Sequence, residues 1–305
     1  MVAFLFPGQG SQYAGMGKDL YEAYPAARAV FDKADSIVGF SLSRLCFDGP
    51  LTELTRTQNC QPAVLTASIA ALEALKAVIN HQSPVASFAA GLSLGEYSAL
   101  IACGVLSFED GLRLVWKRAM LMEEAAKKHQ GKMCAVLGLE RSLVQEICRE
   151  SQAEIANLNC PGQIVITGTA LAVDKAKGLA EEKGAKRVLD LEVSGAFHSG
   201  LMREAAEEFR VFSQNTRLKD AAIPLVSNVT AGPLQNPLEI RENMVKQIYS
   251  PVRWEDSVRF IIGQGVKTFY EIGPGSVLKG LLRKIDPGAQ VINIGKREEI
   301  DNFKS

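Results

Sequence analysis

Residues 91–95 read Gly-Leu-Ser-Leu-Gly, set between a short apolar run, Val85–Ala90, and a stretch that keeps helical spacing through Leu94, Tyr97, Leu100 and Ile101. Strand, sharp turn and helix is the order a nucleophile elbow needs, because glycines on both sides of Ser93 permit the strained turn that exposes its hydroxyl. A helix starting there also points free N–H groups and a positive dipole end at the serine. The competing reading makes Ser93 an N-cap and Glu96 the far member of a Ser-x-x-Glu capping box. That reading leaves the paired glycines and the alanine-rich approach without a reason.

The elbow fits a chain of alternating strands and helices. Val2–Phe6 is an apolar strand running into Pro7-Gly8, and helices are expected over Pro62–Ile79 and from Phe108 to about His129. The pattern resumes late in the chain with a helix over Leu201–Phe212, a strand over Leu225–Val229, a helix over Val258–Gly263 and a strand over Thr268–Ile272 before Gly273-Pro274-Gly275. Between these halves the order changes: strand Met133–Leu139, helix Leu143–Glu150, strands Glu154–Cys160 and Gln163–Gly168 around Pro161-Gly162, helix Leu171–Lys183 and strand Arg187–Val193. That βαββαβ order is the one of a small ferredoxin-like unit. With 305 residues there is room for about two folding units. The expected division is a larger α/β unit over 1–130 and 195–305 with the small one inserted over 131–194.

Charge and cysteine usage remove several function classes. Lysine plus arginine and aspartate plus glutamate each total 34, so no global field favours nucleic acid or an anionic membrane. The six cysteines form no CxxC pair and sit apart from the three histidines, which argues against a metal site and for reduced, buried thiols in a cytosol-like compartment. No basic leader opens the sequence, and the apolar region 85–105 is broken by Glu96 and several glycines and serines, so a soluble, cytoplasmic protein is expected.

A serine hydroxyl needs a base. His129 lies among lysines and His81 in a polar stretch, whereas His198 sits in the small-residue loop Ser194-Gly195-Ala196-Phe197-His198-Ser199 directly after a strand, where positioned catalytic groups concentrate. The alternative for His198 is a satisfied core histidine.

Motifs spread over nearly the whole chain carry a resemblance: PGQGSQ at 7–12, QPA at 61–63, GLSLGEY at 91–97, GAFHS at 195–199 and EIGPG at 271–275, with Arg118 in KRAMLM and Asn157-Leu-Asn-Cys-Pro-Gly-Gln163. Together they resemble the malonyl-CoA:acyl carrier protein transacylases of fatty acid synthesis. The resemblance implies an α/β-hydrolase-like large subdomain with a ferredoxin-like small one. It implies Ser93 as nucleophile, His198 as general base and a ping-pong transfer through a malonyl-serine ester. The oxyanion hole would be the backbone N–H groups of Gln9 and Leu94, and the His198 ring would be oriented by the Ser250 carbonyl instead of a carboxylate. Arg118 would clamp the malonyl carboxylate with its planar fork, and periodicity alone would make it one more solvated helix arginine. Gln61, Met122, Asn159 and Phe197 follow as pocket residues. No resident cofactor is implied: malonyl-CoA brings the acyl group, and the phosphopantetheine thiol of an acyl carrier protein, a transient partner, takes it.

Two positions depart from the family pattern, Leu92 where many relatives carry histidine and Ala119 where glycine is common. Neither removes a catalytic group. A serine hydrolase would share Ser93, His198 and the oxyanion donors, and a noncatalytic binding subunit could keep the fold, so both stay open on the sequence. For an acidic carrier, the basic clusters Lys183, Lys186, Arg187 and Lys279, Arg283, Lys284 are the candidate docking surfaces.

Overall fold

The computed structural model describes residues 1–79 and 86–303. Val85, the expected start of the second strand, and His81 lie outside them. Among the described residues ten strands fall into two sheets: β1 Val2–Phe6, β2 Phe88–Gly91, β3 Gly131–Leu137, β4 Glu154–Cys160, β5 Gln163–Thr169, β6 Arg187–Asp190, β7 Leu225–Val226, β8 Pro233–Leu234, β9 Thr268–Ile272 and β10 Gln290–Ile294. The larger sheet has the order β10-β9-β1-β2-β7-β8 and is parallel except for the short edge strand β8. Its central strand is covered on both faces. Ala3 and Leu5 pack with Trp254, Val258 and Leu278 on one side, while Phe6 joins the core built on the Thr57–Val78 and Phe108–Lys128 helices on the other. Near-continuous apolar sequence in β1 is what two covered faces require.

The smaller sheet, β4-β5-β3-β6, is antiparallel throughout. The helices Arg141–Ser151 and Ala170–Glu182 pack on it over a separate core that includes Val144, Ile147, Ile166 and Val173. The two parts touch where β4 bridges to Val252, with the Val252 N–H donating to the Ala156 carbonyl at 2.8 Å and the Leu158 N–H to the Val252 carbonyl at 2.9 Å.

Several element bounds differ from the sequence reading. The helix expected from Pro62 starts at Thr57, with Pro62 inside it. The strand expected over Leu225–Val229 ends at Val226, and the helix expected from Val258 begins at Trp254. The strand expected to reach Val193 stops at Asp190; the Leu191 N–H still donates to the Met133 carbonyl at 3.0 Å, but Leu191 and Val193 lie beyond the strand. The segment expected as one helix from Leu201 opens with a 3-10 turn, Gly200–Met202, before the α-helix Arg203–Ser213. All six cysteines are free and buried, and burial pushes the Cys60 and Cys103 thiols up to about 12, which makes them packing groups. Among the described residues no cluster could hold a metal ion, and no helix is long and apolar enough to cross a membrane.

Candidate active site

The turn after β2 is built by close backbone approach. A side chain at Gly91 would collide with the backbone of Gly95 and Glu96, and one at Gly95 with the carbonyl oxygen of Phe6, so the Gly95–Ala102 helix can start against β1 only with both glycines. Ser93 between them takes a left-handed backbone, φ 51, a conformation that costs about 1 kcal/mol or more for a residue with a Cβ. A Cβ at Gly8 would collide with the Leu92 carbonyl oxygen, so this glycine brings the first loop, and Gln9 with it, against the elbow. Both turns lie at the carboxyl ends of neighbouring strands, since Phe6 pairs with Gly91. That edge is where open parallel sheets place their sites.

The side chains converge as the sequence suggested, 105 positions apart: Ser93 Oγ lies 2.9 Å from His198 Nε2. The capping box is not formed, for the helix has no side-chain cap and Glu96 instead accepts the Asn228 N–H at 2.7 Å. His198 is 5% exposed and has φ 60. Its Nδ1 lies 2.8 Å from the carbonyl of Gln247, not from that of Ser250 as expected. The reason lies in the Pro237–Gln247 helix, which ends there and leaves last-turn carbonyls without intrahelical donors. The Ser250 carbonyl assists from nearby. With Nδ1–H donating to the Gln247 carbonyl, Nε2 is left with its lone pair facing the Ser93 hydroxyl. Burial, and then the Arg118 charge, push the His198 pKa down to about 4, against the pull of the two carbonyls.

Arg118 is 1% exposed, so the solvated-helix alternative fails. Nη1 donates to Gln61 Oε1 at 2.6 Å, and Nη2 donates to Gln247 Oε1 at 3.0 Å and to Ser93 Oγ at 3.1 Å, while Nε has no hydrogen-bond partner among the described residues. The guanidinium carbon also sits 5.6 Å from the centre of the Tyr97 ring. All three hydrogen-bond acceptors are neutral, and burial lowers the arginine's pKa. The nearest carboxyl influence is Glu96, which burial raises to about 7 despite the Asn228 N–H, the Gln247 amide and the Arg118 charge. A buried cation held by neutral dipoles, with one N–H unspent, is poised to attract an anion.

A cleft of about 120 Å³ opens onto these groups, with Gln9, Gln61, Ser93, Arg118 and His198 on its polar side. Met122, Met133, Leu191, Val193 and Phe197 form its apolar walls, so the two residues that left β6 line the cleft. Leu94 lines it too, and the N–H groups of Gln9 and Leu94 have no acceptor among the described residues. Asn159 does not line it; Asn157 does. Register shifts on either side of Asn157 and Leu158 break the simple alternation of β4, leaving Asn159 half-buried with its Oδ1 unpartnered. His129 lies outside the site, 3.7 Å from Glu204.

Besides the wall residues Met133, Asn157, Leu191 and Val193, two residues that tie the site's hydrogen bonds together escaped the sequence reading. Gln247 touches every part: its carbonyl oxygen holds His198, its Oε1 holds Arg118 and its Nε2 donates to the Ser93 carbonyl at 3.0 Å. Asn228, in the turn after β7, accepts the Ser93 N–H at 2.7 Å. Neither belongs to a spaced motif, and Asn228 fell inside the strand expected over Leu225–Val229, where only the polar Ser-Asn pair set it apart.

The profile of the acyl transferase domain family matches residues 3–298. The malonyl CoA-acyl carrier protein transacylase of Bacillus subtilis is 48% identical over 305 residues, covering 98% of this chain and 95% of that one. The solved acyl-carrier-protein-S-malonyltransferase of Bartonella henselae superposes with a TM-score of 0.95 at 40% identity, over 99% of this chain and 97% of that one. A malonyl-transacylase solved in complex with the acyl-carrier protein of a type II PKS superposes with a TM-score of 0.94 at 37% identity, over 99% and 98% of the two chains. With these motifs and this geometry, the chain belongs to the acyl transferase family, among the malonyl CoA-acyl carrier protein transacylases.

Proposed function

We propose that this protein moves a malonyl group from malonyl-CoA to the phosphopantetheine thiol of an acyl carrier protein, through an ester on Ser93, in fatty acid synthesis in the cytoplasm. The observation that carries the reading is Arg118, a buried guanidinium lining the cleft, hydrogen-bonded to Ser93 Oγ and with Nε unspent among the described residues. A plain hydrolase has no use for a buried cation there, whereas an acyl group ending in a carboxylate does.

The reaction follows from the contacts. Ser93 Oγ attacks the thioester carbonyl as His198 Nε2 takes its proton, and the carbonyl oxygen, now an anion, is received by the N–H groups of Gln9 and Leu94. Collapse breaks the carbon–sulfur bond, and His198 returns the proton to the departing CoA sulfur. The carrier's thiol then repeats the sequence in reverse, giving its proton to His198 and displacing Ser93. No resident cofactor takes part; CoA and phosphopantetheine enter as parts of the substrates. Brief exposure to malonyl-CoA followed by mass measurement tests this: one malonyl adduct mapped to Ser93 is expected, and free malonate without an adduct would refute it.

The finer architecture belongs to the same reading. The order β4-β5-β3-β6, with both helices on one antiparallel sheet, supports a ferredoxin-like unit over 131–194. The parallel sheet with an elbow after β2 supports an α/β-hydrolase-like unit over 1–130 and 195–305.

Arg118→Ala should change specificity more than overall rate. The malonyl carboxylate loses its charge-assisted partner and an acetyl group never had one, so the ratio of malonyl to acetyl transfer should fall by about 10-fold or more. Equal losses with both acyl-CoA substrates would assign Arg118 to the fold instead.

For the carrier, the Val277–Ile285 helix is the better of the two basic candidates. In the first cluster Lys183 is tied to Glu146 at 3.0 Å, leaving two cations, Lys186 and Arg187, without an ion pair among the described residues, whereas all three of Lys279, Arg283 and Lys284 have none. Lys284 Nζ also reaches Gln163 Oε1 at 3.0 Å, at the turn that follows β4, the strand that lends Asn157 to the cleft. Charge reversal at these three positions should slow transfer to the intact carrier, most at low salt, and spare transfer to free pantetheine. Equal slowing with both acceptors would reject this surface.

A further inference from the structure

The nucleophile's turn is held by a residue that none of the steps above uses. Asn228 is completely buried, and its carboxamide spans the elbow: Oδ1 accepts the Ser93 N–H at 2.7 Å and Nδ2 donates to the Gly91 carbonyl at 2.7 Å. Its own backbone N–H donates to Glu96 Oε2 at 2.7 Å, and its carbonyl accepts the Arg253 N–H at 2.9 Å. Glu96, 1% exposed, stands one helical turn beyond the nucleophile, so the elbow, the start of its helix and the loop after β7 are tied into one closed set of hydrogen bonds. Both ends of the carboxamide are used, and each faces the partner only an amide in that orientation can satisfy.

We propose that Asn228, anchored by Glu96, is a positioning residue for acyl transfer that fixes Ser93 in its left-handed conformation. Two consequences follow from the contacts. The serine's Oγ is held where His198 Nε2 and Arg118 both reach it. The Ser93 N–H is occupied, so the free donor at the elbow is that of Leu94 alone, and the acyl oxygen has one place to settle. Removing the carboxamide frees the Ser93 N–H and the Gly91 carbonyl, relaxes a conformation disfavoured for a non-glycine residue, and lets Oγ swing away from the base.

This inference rests on the acyl-transfer reading only in taking Ser93 as the nucleophile. The test is rapid mixing of the full chain with malonyl-CoA, following the burst of released CoA. Burst amplitude counts competent sites, and burst rate measures acylation at each of them. For Asn228→Ala the expected result is a burst of near-full amplitude slowed by roughly 10–100-fold, with the malonyl-CoA concentration for half-maximal rate changed little. A burst of reduced amplitude but unaltered rate would make Asn228 a folding residue only, and an unaltered burst would remove it altogether; either overturns the proposal. Should the alanine variant not fold, Asn228→Asp carries the test. It keeps the volume and an acceptor for the Ser93 N–H but loses the donor to Gly91, so a slower rate per competent site supports the proposal and an unaltered one overturns it. Absence of any burst in the unsubstituted protein would instead strike at acyl transfer itself, which separates the two failures.

Discussion

Replacing Ser93 with alanine is expected to abolish both the malonyl adduct and transfer, with turnover falling at least ~10⁴-fold. The size follows from the double use of one atom. In the proposed mechanism Oγ accepts the acyl group in the first half-reaction and is the leaving group in the second, so no partial pathway survives its loss. Water is a poor replacement in this geometry: the oxygen that His198 and Arg118 both contact is the serine's own, held at 2.9 and 3.1 Å by the strained turn. The variant should still bind malonyl-CoA, since Arg118, Gln61 and the apolar walls are untouched, and binding measured by calorimetry separates a dead nucleophile from a collapsed cleft. Transfer at the unsubstituted rate would overturn the covalent mechanism.

What the sequence made legible is what local backbone geometry demands. Gly8, Gly91 and Gly95 are required by collisions that any side chain would create, and such demands leave fixed spacings in the chain, so the elbow and the glycine turn after β1 were found from the residues themselves, while Gln9's place in the site came with the resemblance. His198 was found because its loop is short of bulk. Arg118 was different: helical periodicity made it a surface residue, and only the resemblance placed it in the site. Gln247 was missed because a carbonyl at the end of a helix can come from any residue type, so nothing marks it; the resemblance named Ser250, three residues along, whose carbonyl also acts on the ring but does not make the 2.8 Å contact. Asn159 came from the resemblance alone; β4 shifts register on either side of Asn157 and Leu158, so the two asparagines, two positions apart, do not share a facing direction, and Asn157 is the one at the cleft. The large sheet's order, β10-β9-β1-β2-β7-β8, was not legible at all, because the last strands pair beside the first and only long-range packing brings them there.

His198→Ala should lower the rate by at least ~10²-fold while the KM for malonyl-CoA changes far less, the split expected of a positioned general base. A change confined to KM would make His198 a pocket residue. The pH profile of the unsubstituted protein sharpens the test. Burial and the Arg118 charge hold the ring's pKa at about 4 in the free protein, so the neutral, proton-accepting form predominates above that value. Accordingly kcat/KM should be flat through neutral pH and fall only as pH drops through about 4, not near the value usual for histidine. Once malonyl is bound, its carboxylate offsets the Arg118 charge and one of the two causes of the depression weakens. The acid limb of kcat, which reports the substrate-bound state, should therefore lie at higher pH than that of kcat/KM. Arg118→Ala removes the same charge permanently, and with acetyl-CoA as substrate its kcat/KM limb should move up as well. If neither limb moves, burial alone sets the His198 pKa, and the guanidinium 3.1 Å from the nucleophile does not reach the base through it.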